Sequence, residues 1–327
     1  MPTAMHNIKN PSSMPGPIAL LLIVLTLFGL LACESEKHEE GRAKLAAQTD
    51  DAIEIVTENM NFKMLDEISS GWHTFRYSNQ SDQTHFFLLE KYPQGKTLKD
   101  AKKEVFPVFQ EGMDFIFNGE PEEGVAAFGN LPPWYSQVVL SGGSGLISPW
   151  TTSETTLKLA PGYYVVECYV KMPNGTFHSV VGMAAALVVS SEVAPELQIT
   201  PDVNIAISST VGIVFDDNIH KGKQTFSVFF KDQVVHENFV GHDVNLVKYD
   251  DGADLKVLEK WMNWANPMGL ISPSPEGFTF LGGVNDMPAG STGYFTAELE
   301  PGNYAFVAEV PNSLGKNMLK TFVVGDK

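Results

Sequence analysis

Residues 157–183, LKLAPGYYVVECYVKMPNGTFHSVVGM, hold the pattern on which the reading of the whole chain turns. Alternation puts Tyr164, Val166, Cys168 and Val170 on one face of a strand, with Glu167 and Lys171 on the other. LAPG, ahead of it, is a tight turn joining two such runs. MPNG, behind it, is a second turn, so the chain doubles back and returns His178 near Cys168. HSVVGM then sets Met183 just after Gly182. The segment reads as β-structure that gathers a thiol, an imidazole and a thioether at one end.

The same pattern occurs twice. His85, Lys91, Tyr92, Gly95, Leu98 and Lys99 recur 157 positions later as His242, Lys248, Tyr249, Gly252, Leu255 and Lys256. Further on, LKLAPGYYVVECYV recurs as AELEPGNYAFVAEV, with an offset of 140 from Pro161 to Pro301. A shrinking offset means loops of different length on one framework. In each copy, short β-branched and aromatic runs are bounded by Gly, Pro, Asn or Ser, as strands are. One segment per copy breaks this period. TLKDAKKEVFPVFQEGM and DLKVLEKWMNWAN space apolar residues three and four apart, as an amphipathic helix does. The expected fold is all-β: two tandem Greek-key β-sandwiches, each with a short inserted helix. The sequence divides into 53–192 and 193–327, with the boundary in SSEVAPELQ, Ser190 to Gln198.

The N-terminus points to export. Lys9 is the only formal charge before the apolar run Ile18–Ala32, which ends at Cys33. LLAC resembles the bacterial lipobox, which implies a signal peptide over 1–32 and lipid on Cys33. The alternative is a plain signal peptide with a chance cysteine. The polar, acidic stretch 33–52 reads as a flexible tether. The expected location is the bacterial cell envelope, lipid-anchored, with the outer membrane favoured because Glu34 follows the cysteine. About 275 residues remain, enough for two ordinary domains.

A formal net charge of −17 argues against nucleic acid as a partner. The chain lacks GxSxG, HExxH, a P-loop and GxGxxG after a strand, so hydrolase, metalloprotease and nucleotide readings have no support. Trp261 and Trp264 could form a sugar-stacking platform or pack a helix on the sandwich. With lipid on Cys33, Cys168 has no intrachain partner in an oxidising compartment.

A thiolate and two imidazoles in a plane, with a thioether at long axial distance, form a copper electron-transfer site. One early histidine followed by cysteine, histidine and methionine on a single loop is the sequence order such sites take. His85, opening HFFLLEK after the polar turn SNQSDQT, supplies the early one. On these residues residues 55–190 resemble a cupredoxin, or type 1 copper, domain. The resemblance implies His85, Cys168, His178 and Met183 as ligands to one copper ion in the first domain. Nine residues between Cys168 and His178 sit at the long end for that family. His73 has no counterpart in it.

The second copy has Ala308 where Cys168 stands and no histidine in VPNSLGKNMLKTFVV, while Met318 matches Met183 if the loop is shortened. His236 and His242 compete for the place of His85. This copy is therefore a degenerate, metal-free domain. The expected function is a membrane-tethered copper protein for electron transfer or copper carriage, meeting a redox or copper-donor protein. The alternative is a metal-free module for protein or glycan contacts. With three histidines in the first domain, no second copper centre is expected, and hence no enzyme.

Overall fold

The structure, a computed structural model, describes residues 52–326. The expected signal peptide 1–32, the lipidation site Cys33 and the tether up to residue 51 lie outside the described residues. Among those described, no helix is long and apolar enough to cross a membrane.

The first half contains β1 (Ile53–Glu58), β2 (Asn61–Lys63), β3 (Glu67–Asn79), β4 (Leu88–Lys91), β5 (Val139–Gly143), β6 (Thr152–Leu159), β7 (Gly162–Glu167) and β8 (Ala184–Val193). β1, β3 and β6 form one layer; β5, β4, β7 and β8 form the facing one in that order. β3 serves both layers. Glu67 and Ile68 pair with β8, whereas residues from Gly71 onward pair with β6. Gly71, with φ +111°, makes the corner, a backbone conformation that a side chain would strain. Phe75, Tyr77 and Phe87 fill the space between the layers, with ring centroids 5.4–5.7 Å apart.

The inserted helical segment is longer than the sequence period predicts. α1 (Leu98–Asp100), a π turn (Ala101–Val105) and α2 (Phe106–Phe117) run without a break, and α3 (Pro121–Ala127) follows. Thr97 and Asp100 form a capping box at its start. Gly119 at φ +87° ends α2, and Pro121 opens α3. The helical segment packs beside β4 and β7, so β7 is buried on both faces, Val165 and Glu167 as well as Val166. One further turn of helix, α4 (His178–Val181), lies in the returning loop.

The second half repeats the plan with β9 (Val203–Ser208), β10 (Gly212–Phe215), β11 (Gly222–Phe230), β12 (Val244–Tyr249), α5 (Leu255–Met262), β13 (Phe278–Val284), β14 (Thr292–Leu299), β15 (Gly302–Val307) and β16 (Leu319–Val324). Its layers are β10–β9–β11–β14 and β13–β12–β15–β16. Asp254 caps α5 by accepting from the Lys256 N–H at 3.0 Å. Trp261 and Trp264 are buried, which favours helix packing over a sugar platform.

Residues 194–201 pass from one half to the other without regular structure. The halves then meet sheet to sheet. β6 and β14 pair antiparallel with Thr155 opposite Phe295, two positions that correspond under the 140-residue offset. The N–H of Gly142 donates to the Asp286 carbonyl at 2.7 Å, and that of Gly282 to the Leu146 carbonyl at 2.8 Å. These two bonds are each other's mates under the same offset. The seam therefore has local two-fold symmetry.

Candidate metal centre

The returning loop is built as its turn signals predict. The Met172 N–H donates to the Thr176 carbonyl and the Gly175 N–H to the Met172 carbonyl, reversing the chain at MPNG. The His178 N–H then donates to the Val170 carbonyl at 2.8 Å, which returns the imidazole to the level of Cys168. α2 braces the loop from outside: the Phe177 N–H donates to Gln110 Oε1 at 2.9 Å.

His85 stands just before β4, the strand paired with β7. Its N–H and carbonyl exchange bonds with Ile147 at 3.1 and 2.8 Å. The polar turn before it is organised by Asn79, whose Nδ2 donates to the Gln83 carbonyl and whose Oδ1 accepts from the Ser81 hydroxyl. With its proton given to Asn79, Ser81 Oγ accepts from His85 Nε2 at 2.8 Å. That fixes the proton on Nε2 and leaves a lone pair on Nδ1 facing the core. Ser81 and Asn79 escaped the sequence reading; SNQS, an Asx-turn composition ahead of the histidine, was the available signal.

Cys168 Sγ lies 3.8 Å from Nδ1 of His85 and 3.8 Å from Nδ1 of His178, and those two nitrogens are 3.1 Å apart. All three side chains are buried. Bonds of about 2.0 Å to nitrogen and 2.3 Å to sulfur would set three such donors roughly 3.5–3.8 Å apart around one ion. The triangle is close to that size, slightly tight between the rings. His178 Nε2 is buried with no hydrogen-bond partner. Two ring nitrogens and the sulfur thus converge as a donor set suited to a cation.

Electrostatics agree with a neutral donor set. Burial pulls the His85 imidazole down to about 4. Burial, and then the neighbouring His85, pull His178 down to about 2. Burial pushes the Cys168 thiol up to about 12, so in the metal-free protein it keeps its proton at neutral pH. A metal ion bound there would displace that proton.

Met183 is fully buried, and its main chain ties the loop together. Its N–H donates to the His178 carbonyl at 2.9 Å, and its carbonyl accepts from the Cys168 N–H at 3.1 Å. His73 stands apart, half-buried, bonded to the Ser69 carbonyl at 2.8 Å.

The second half shows the same loop without the donors. The Ala308 N–H donates to the Met318 carbonyl, and the Met318 N–H to the Ser313 carbonyl, at 2.9 and 2.7 Å. Ser313 thus takes the place of His178 and Met318 that of Met183. His236 and His242 do not compete for one position. They touch, Nε2 to Nδ1 at 3.1 Å, and His242 Nε2 donates to the Asp232 carbonyl.

Lys171 is the side chain that sequence alternation placed least well. It is fully buried, with Nζ 2.6 Å from the Trp264 carbonyl and 2.8 Å from that of Asn266. Its main chain bonds Leu270 and Ser272. The metal loop of one half is thereby stitched to the loop after α5 of the other.

No protein-family model matches the chain, and no curated protein matches it. Among solved structures it is similar to auracyanin A, a "blue" copper protein from Chloroflexus aurantiacus, at 26% identity over 43% of this chain and 98% of that one, with a TM-score of 0.26. It is also similar to a copper-containing nitrite reductase from Thermus scotoductus, at 11% identity over 85% of this chain and 62% of that one, TM-score 0.22. A multi-copper oxidase from Pediococcus acidilactici aligns at 8% identity over 84% of this chain and 58% of that one, TM-score 0.21. Two of these three are enzymes, which overturns the expectation, drawn from the histidine count, that the chain is not one. At such TM-scores no activity passes from them to this protein. The layers, the strand order and the donor loop make the fold a pair of cupredoxin-like β-sandwiches, the first with a His–Cys–His cluster fit for copper.

Proposed function

We propose that the first half binds one copper ion through His85, Cys168, His178 and Met183, and that the protein serves electron transfer or copper carriage in the cell envelope. One observation carries this reading: a buried thiol and two buried Nδ1 atoms converge within 3.8 Å of one another. Copper bound to such a set exchanges one electron between Cu(I) and Cu(II). The chain's part is to hold the donors still. Ser81 orients the His85 ring, and the bonds from Met183 to Cys168 and His178 close the loop. Burial keeps water and competing ligands out.

The test is to purify the protein from copper-supplemented medium and record its visible spectrum and metal content. An intense thiolate-to-copper band, absent in Cys168→Ala, supports the reading. Metal by elemental analysis without the band favours a colourless Cu(I) carrier. Neither metal nor band favours a metal-free binding module and sinks the copper reading.

Tethering by lipid on Cys33 belongs to the same proposal. It rests on LLAC and the apolar run before it. Cys33→Ser is expected to move the protein from the membrane to the soluble fraction; continued membrane association with no incorporated lipid would refute it.

A further inference from the structure

A cavity of about 500 Å³ lies where the two halves meet, beside the helical insertion. β4 and β7 supply its floor. Glu90 and Glu167 stand there on paired strands, diagonal neighbours on one face, since Glu90 opposes Val165. Asp286 enters from the second half. All three carboxyl groups are at least nine-tenths buried, with exposures of 2, 9 and 6%. The wall is aromatic: Phe109 sits between Tyr135 and Trp264, at ring distances of 5.7 and 6.2 Å. Val235 and Phe239, exposed by 75 and 53%, form the rim, so the cavity is reachable from solvent.

Burying a carboxylate without a counter-charge costs several kcal/mol. Here three face one apolar space, and the described lining holds no lysine, arginine or histidine. A metal ion would want converging oxygens and water rather than aromatic faces. An anion would be repelled. A positive nitrogen on an apolar body satisfies both features, pairing with carboxylates while its body and charge lie against ring faces.

We propose that this cavity binds a small organic ammonium ion, an alkyl- or arylamine, with Glu90, Glu167 and Asp286 as counter-charges and Phe109, Tyr135 and Trp264 as the aromatic wall.

The experiment is calorimetric titration of the metal-free full chain with phenethylammonium and, separately, with its neutral analogue 2-phenylethanol. The expected result is saturable one-to-one binding of the amine, tighter than the alcohol by about tenfold or more. Glu90→Gln, shown to be folded by its melting curve, is expected to erase that preference. Asp286→Asn, from the other half, carries the same test if Glu90→Gln does not fold. Equal affinities, absence of amine binding, or a preference that survives in the folded variant would overturn the proposal and leave the copper reading intact.

Discussion

Tyr169 donates its hydroxyl proton to Glu309 Oε2 at 3.0 Å, and the two residues occupy the same place in their respective halves, 140 positions apart. Duplication placed one residue type at both positions of a symmetric seam; divergence has made them a donor and an acceptor. Both are close to the loops that matter, Tyr169 next to Cys168 and Glu309 next to Ala308. Burial pushes the Glu309 carboxyl well above the usual range, with Asp243 adding to it and Tyr169 opposing it. Glu309 Oε1 has no partner of its own.

Tyr169→Phe therefore leaves a buried carboxyl with neither oxygen bonded to a side chain. The expected loss is about 1–3 kcal/mol of stability in urea unfolding. Combined with Glu309→Leu, which removes the stranded group, the loss should fall short of the sum of the two single losses.

The two site histidines make the metal-free protein sensitive to acid. Their pKa values in the fold lie below the unfolded value near 6.5, at about 4 for His85 and about 2 for His178. Between those values the unfolded chain binds more protons, so this contribution is present above pH 6.5 and is lost as pH falls. From pH 6.5 to 5, His178→Asn should lose roughly 2 kcal/mol less stability than the parent. Equal pH slopes for the two proteins in urea titrations would contradict the burial of this ring.

Lys171 gives a third measurement. Lys171→Met keeps the length of the side chain and removes the ammonium, leaving the carbonyls of Trp264 and Asn266 without its donor. A loss of about 1–3 kcal/mol is expected, together with faster amide hydrogen exchange in residues 263–270. Unchanged exchange there would mean that this lysine does not hold the loop.

Two glycines, one in each half, permit close approach of paired strands. A Cβ on Gly143 would collide with the Phe87 carbonyl, and one on Gly283 with the Val244 carbonyl. Either alanine variant should cost more than about 3 kcal/mol or prevent folding. Gly129, with open space around it and no left-handed φ, is the control: Gly129→Ala should stay within about 0.5 kcal/mol of the parent.

Much of the centre was legible in the sequence because its determinants are local. The MPNG turn and the Cys168–His178 spacing require only that a strand reverse. His85 came from the ligand order of the family it resembles and from its place after the polar turn SNQSDQT. Lys171 was misplaced for the opposite reason: alternation put it on an outer face, and nothing near it in the chain reports that the loop at 263–272 covers that face. The seam was hidden likewise, since the offset of 140 reveals equivalence but not that equivalent strands pair. The helical segment ran past its expected end because residues 114–127 have no strand period to oppose it, only Gly119 and Pro121 to punctuate it.

The pairing of β6 with β14 bears on how the protein can be handled. Each strand is the other's neighbour, so cutting the chain within 194–201 and keeping either piece leaves a row of unsatisfied amide and carbonyl groups along an open flank. Open flanks recruit whatever strand comes near, their own copies first. The duplicated gene product is thus indivisible in practice: the half with the donors and the half without them must be made, stored and studied as a single piece.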